Sequence, residues 1–155
     1  MELTGEKGLG KMLKIFLQIC FYVGAVIIVF LPFVLQRLGL GLGASLFIIY
    51  PNGIVLLIIT REFIKLFDSL VTNNPFCEEN IKILKTTGIV ALIGSGLWLL
   101  DLLYEVILAK SNDIVFNATL LFLCILFFGV AVALYMLSEL FKQATKYKKE
   151  NELTI

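Results

Sequence analysis

Histidine is absent from this chain, and charge is scarce: only 16% of the 155 residues are Asp, Glu, Lys or Arg, against about a quarter in soluble domains. The first absence excludes histidine general bases, histidine metal sites and imidazole pH switches. The second, with 59% hydrophobic residues and a mean hydropathy of +0.97, excludes an ordinary soluble domain. Cysteine is rare too. Cys20, Cys77 and Cys124 match no metal or redox spacing and read as isolated reduced thiols. The Ser, Lys and Asp residues scatter to opposite sides of the membrane, so no nucleophile and base can be assembled from them. We therefore expect no enzyme, no catalytic or metal site and no cofactor.

What the chain has instead is four long apolar runs, at about 15–35, 42–60, 86–108 and 114–137. Each is long enough to cross a bilayer once. The first exceeds a signal-peptide core and lacks a small-residue cleavage site before Pro32, so it is expected to be retained as a span. The expected fold is an all-α membrane protein, four transmembrane helices in an antiparallel bundle, forming one domain over 1–155 with a loop at 61–85 and a tail at 138–155. Of 13 basic residues, 11 fall at the start, in the middle loop or in the tail, leaving Arg37 and Lys110 for the other two loops. The positive-inside rule then predicts a multi-pass cell-membrane protein with both termini and the middle loop cytoplasmic.

Pro51, Asn52 and Gly53 interrupt the second run, where proline removes a backbone donor. A kink is expected; a broken helix lining a polar cavity is the stronger alternative. Gly39, Gly41 and Gly43 lack the spacing of a phosphate loop and read as a tight hairpin. A weak duplication pairs Lys11-Met12-Leu13-Lys14 with Lys82-Ile83-Leu84-Lys85, and Arg61-Glu62-Phe63-Ile64-Lys65 with Ser138-Glu139-Leu140-Phe141-Lys142. Two similar helical hairpins or chance would each explain it, because inner flanks are basic anyway.

Phe63, Leu66, Phe67 and Leu70 recur at helical spacing, so the second helix should continue past the membrane until Asn73-Asn74-Pro75-Phe76 stops it. Asn74 or Cys77 can open the next helix, with Glu78 and Glu79 suiting its first turn. In the tail, Leu137, Leu140, Phe141 and Ala144 form an apolar stripe, while Lys142, Lys146 and Lys149 share another face. Such a helix suits a membrane-surface anchor or a partner-binding face.

The stretch Asn74-Pro75-Phe76-Cys77-Glu78-Glu79-Asn80-Ile81-Lys82-Ile83-Leu84-Lys85, followed by Glu139-Leu140-Phe141-Lys142 and the end Glu150-Asn151-Glu152-Leu153-Thr154-Ile155, resembles the bacterial membrane proteins catalogued as domain of unknown function 2975. The resemblance covers nearly the whole chain: four spans, a cytoplasmic Pro-Phe loop and an Asn-x-Leu-Thr-like tail. Ser, Thr or Asp commonly follows Pro-Phe in that family; Cys77 departs from this and weakens the expected helix cap. No activity is assigned to the family as a whole. Its genes often lie beside one for a small helix-turn-helix repressor of the Cro/CI type, and this neighbourhood implies a membrane-bound regulator of a transcription factor.

Inside the third run, Gly94, Trp98, Asp101 and Glu105 share one helical face, with both carboxylates in the outer third of the bilayer. Acidic groups there cost a few kcal/mol unless paired, protonated or hydrated. Arg37 and Lys110 are the expected partners. Asp101 and Glu105 then either snorkel to the outer interface or, with Trp98, form a polar site for a proton, cation or small ligand. Glu139 should pair with Lys142. Ala91 and Ser95, and Gly129 and Ala133, have the spacing that lets helices approach, within the bundle or between copies in a homo-oligomer.

The preferred expectation is a non-enzymatic membrane regulator that binds or sequesters a cytoplasmic partner such as a small helix-turn-helix protein, itself touching no nucleic acid. The residues placed to do so are Phe63, Phe67, Pro75, Phe76, Glu79, Asn80, Phe141, Asn151, Leu153 and Ile155. The alternative is a small transporter or immunity-type protein working through Asp101 and Glu105.

Overall fold

In a bilayer every backbone polar group must be bonded within the chain, which leaves the helix as the solution for apolar runs of this length. A computed structural model describes residues 4–37, 42–71, 77–110 and 113–152, and helices occupy nearly all of them. They are α1 (Thr4–Arg37), α2 (Leu42–Val71), α3 (Glu78–Leu103), a π-helical turn (Tyr104–Leu108) and α4 (Ile114–Glu152). Three stretches, Gly10–Leu31, Glu78–Leu108 and Ile114–Glu150, are long and apolar enough to cross a membrane among the described residues. The protein is thus all-α, with the helices of a membrane-embedded chain.

The helices form a row. α1 packs on α2, α2 on α3 and α3 on α4, and no other pair makes more than a marginal contact among the described residues. α2 and α3 are the inner helices of that order, and α2, α3 and α4 converge at Gly94 and around Leu84. The reason lies in the side chains. α3 carries Gly88, Ala91, Gly94 and Ser95 on its buried face, which admit neighbours closely, whereas α1 leaves Phe16, Tyr22, Val26 and Phe30 exposed. A Cβ added at Gly94 would lie 2.8 Å from Val55 Cγ1 of α2 and 2.9 Å from Phe127 Cδ1 of α4. Gly94 is therefore where the three helices come closest.

α2 runs unbroken through Pro51, so the broken-helix alternative is set aside. Gly53 lets it approach α1, since a Cβ there would meet Ile28 Cδ1 at 2.8 Å. Gly43 lies within the first turn of α2 rather than in a hairpin loop, while Gly39 and Gly41 fall outside the described residues. α3 opens on Cys77, whose φ of −107° and ψ of 155° are extended and whose side chain makes no cap bond. Asn74 and the Pro75-Phe76 pair lie outside the described residues. The π turn closes with the Ala109 N–H donating to the Tyr104 carbonyl at 3.0 Å, and Lys110 follows at φ 50°. Asp113 then caps α4, its Oδ1 accepting from the Phe116 N–H at 3.0 Å.

Candidate functional site

The sequence points to two places, one within the third apolar run and one at the lysine-rich end where α2 finishes and α3 starts. Within the run, Trp98, Asp101 and Glu105 are all half-buried. Asp101 does not pair with Arg37 or Lys110, and no ion pair joins either carboxylate to a cation among the described residues. Its partner comes from α2: Asn52 Nδ2 donates to Asp101 Oδ2 at 3.0 Å, and Asn52 is only 3% exposed. The hydrogen bond satisfies a carboxylate in apolar surroundings without a countercharge. The buried Trp98 indole N–H has no acceptor among the described residues. One turn further in, Ser95 Oγ donates to the Cys124 carbonyl of α4 at 3.0 Å.

Asn52 is the residue that sequence reasoning missed. Its signal was there, an amide inside an apolar run, but beside Pro51 it reads as part of a helix interruption. Ser95 meets α4 as its spacing suggested, and Ala91 is fully buried. Gly129 and Ala133 do not. They sit on the outer face of α4, and nothing lies within 4 Å of a Cβ built on Gly129. α4 meets α3 through Phe127, Ala131 and Leu134 instead.

At the lysine-rich end, Leu66 of α2, Ile83 and Leu84 of α3 and Leu134 of α4 form a small core, with Phe63 and Phe141 packed against it. Polar groups stitch its margin. Ser138, 1% exposed, donates from Oγ to the Ile81 carbonyl at 3.2 Å, and Thr145 Oγ1 donates back to the Phe141 carbonyl at 2.8 Å. Asn80 is fully buried. Ion pairs ring the outside: Lys14 with Asp68, Lys142 with Glu139 at 3.7 Å, Lys146 with Glu150 at 3.7 Å and Lys149 with Glu78 at 2.8 Å. The last joins the end of α4 to the start of α3. Lys149, bonded to Glu78 and next to its charge, holds that carboxyl below the usual range, and the lysine is raised in turn.

The tail is therefore no separate helix lying along a surface. α4 continues straight from its apolar part, and the face it turns inward is Leu134, Ser138, Phe141 and Thr145, rotated from the expected Leu137, Leu140, Phe141, Ala144 stripe. Leu140 and Tyr147 stay 59% and 65% exposed. Of the residues expected to meet a partner, Phe63 and Phe141 pack inward, Asn80 is enclosed, Phe67 is half-buried and Glu79 is exposed. Asn151 falls in the last turn of α4, and Pro75, Phe76, Leu153 and Ile155 lie outside the described residues. Phe63, Asn80 and Phe141 thus pack into the lysine-rich end of the molecule.

An apolar α-helical chain whose last helix runs on into a lysine-rich extension belongs to the class of small helical membrane proteins. Over residues 11–155 it matches the family described as Protein of unknown function (DUF2975), and it belongs to that family. No curated protein and no solved structure shows a significant match.

Proposed function

We propose that this is a bacterial cell-membrane protein of four spans, with both termini and the α2–α3 connection in the cytoplasm, acting as a non-enzymatic regulator that binds or sequesters a cytoplasmic partner such as a small helix-turn-helix transcription factor. The observation that carries this reading is the length and docking of α4. Its 39 residues extend about 58 Å at 1.5 Å per residue, against about 30 Å of hydrocarbon. The excess is pinned to α3 through Ser138 and Lys149. A ledge held in this way presents Leu140, Tyr147 and Glu79 from a fixed position, which lowers the entropy lost when a partner docks. The basic distribution supports a cytoplasmic ledge, and the gene neighbourhood implied by family membership supports a DNA-binding partner.

The test is co-purification of the detergent-solubilised protein with the product of the adjacent gene. Leu140→Glu and Tyr147→Ala should each reduce recovery of the partner while leaving insertion unchanged. Equal recovery from the variants, or no partner with any of them, overturns the reading.

A second reading, a small transporter or immunity-type protein, draws on the Asn52–Asp101 bond, which places a carboxylate between α2 and α3. On that reading Asp101→Asn with Glu105→Gln abolishes activity with expression intact.

A further inference from the structure

Between the start of α3 and the end of α4 lies an open groove of about 440 Å³, lined by Glu78 and Ile81 of α3 and by Lys142, Thr145, Lys146, Lys149 and Glu150 of α4. We propose that this groove binds the headgroup of an anionic phospholipid, the phosphate held by Lys142 and Lys146 and the glycerol region resting on Ile81 and the lysine stems.

Three observations lead there. The first is depth. Lys142 and Lys146 stand about 7 Å and about 13 Å beyond Leu137, where the fourth apolar run ends; the headgroup layer is about 5–7 Å thick on each side of the hydrocarbon, and helical side chains tilt toward the N-terminus, here back toward the membrane. The second is shape. Lysine stems are apolar and their tips cationic, so a groove walled by three of them beside Ile81 has the mixed character of the glycerol-phosphate region. The third is charge. Lys142 and Lys146 reach only distant carboxylates, each at 3.7 Å, and are exposed. Exposed pairs of that kind contribute little, and each ammonium has donors left for a phosphate. Lys149 is committed to Glu78 at 2.8 Å, a pair that joins α4 to α3 beside the groove.

Diffuse attraction between a basic surface and an anionic membrane is the rival explanation, and Lys82 and Lys85 separate the two. Both are exposed on α3, outside the groove and nearer than Lys142 to the start of the third apolar run. A diffuse field would therefore depend on them at least as much.

The experiment reconstitutes the full chain in nanodiscs of phosphatidylcholine with or without phosphatidylglycerol and measures lipid retained on extraction by native mass spectrometry. The intact protein should retain phosphatidylglycerol preferentially. Lys142→Gln with Lys146→Gln should lower that retention about tenfold or more, because it removes the charge-assisted hydrogen bonds to the phosphate, while Lys82→Gln with Lys85→Gln, which lie outside the groove, should leave it within about twofold. Equal losses in the two double variants, or no preference in the intact protein, overturn the proposal. So does displacement of the lipid by excess inorganic phosphate, which would make the ligand a free anion. Should the groove variant fail to insert, a photoactivatable phosphatidylglycerol supplies the answer in the intact chain. Cross-links at residues 78–81 and 138–150 support the site, and cross-links spread over the helices overturn it.

Discussion

Gly94 and Gly129 are the same residue type in adjoining helices and predict opposite outcomes. Gly94→Ala places a methyl group under 3 Å from both Val55 and Phe127, so it should cost about 1–3 kcal/mol through overpacking. Gly129→Ala meets nothing within 4 Å and should leave stability unchanged or slightly raised. Unfolding in mixed detergent, followed by circular dichroism, distinguishes them. Cys77 offers a gain. It occupies the N-cap of α3 without a side-chain cap bond, its Sγ lying 3.6 Å from Ser69 Oγ instead, so Cys77→Ser or Cys77→Asp should stabilise that helix by about 1 kcal/mol. Asn52→Ala should cost about 1 kcal/mol, the usual size of an interhelical hydrogen bond in a membrane, because it strands Asp101. The small residues were visible in the sequence, but which of them meet a neighbour was not. Spacing alone does not tell Ala91, which is fully buried, from Ala133, which is exposed.

Among the elements, α4 departs most from its local pattern. The tail's amphipathic period was legible, and so were the Glu139–Lys142 pair and the continuation of α2 past Lys65. The phase of the inward face was not, because Ser138 and Thr145 are polar and hide their burial. Each satisfies its hydroxyl on a backbone carbonyl, Ser138 across to α3 and Thr145 within its own helix, so polar positions can face a packed helix. The π turn was invisible too, as nothing in the composition of Tyr104–Leu108 demands a wider coil. The duplication, legible only as short basic flanks, does not extend to the ion pairs. At its offsets of 71 and 77 residues, Lys14 and Asp68 correspond to Lys85 and Thr145, which cannot form one.

The contact between Lys149 and Glu78 adds a pH dependence to the element. Glu78 is lowered by Lys149, so its contribution to docking should hold through the ordinary glutamate range and be lost only as pH falls through the lowered value. Lys149 is raised, so its contribution should persist through the ordinary lysine range and be lost only as pH rises through the raised value. Hydrogen exchange across residues 141–150 should therefore show protection between those limits. An unchanged pH profile of protection in Glu78→Gln would show that the pair does not contribute to docking.

For the molecule as a whole, a contact order with α2 and α3 inside leaves α1 attached chiefly through α2 among the described residues. It follows that α1 should contribute least to the stability of the rest. That the chain is helical and apolar enough to be embedded was legible from hydropathy; the order of packing was not, because every helix is apolar around much of its surface and hydropathy does not choose neighbours in lipid. The account depends most on the lysine-rich end facing the cytoplasm, since partner and ledge both require it. Impermeant thiol labelling of Tyr147→Cys, in a chain whose Cys20, Cys77 and Cys124 are replaced by serine or alanine, tests this directly. Labelling in inverted vesicles but not in intact cells is the predicted result, and labelling of intact cells would contradict the account.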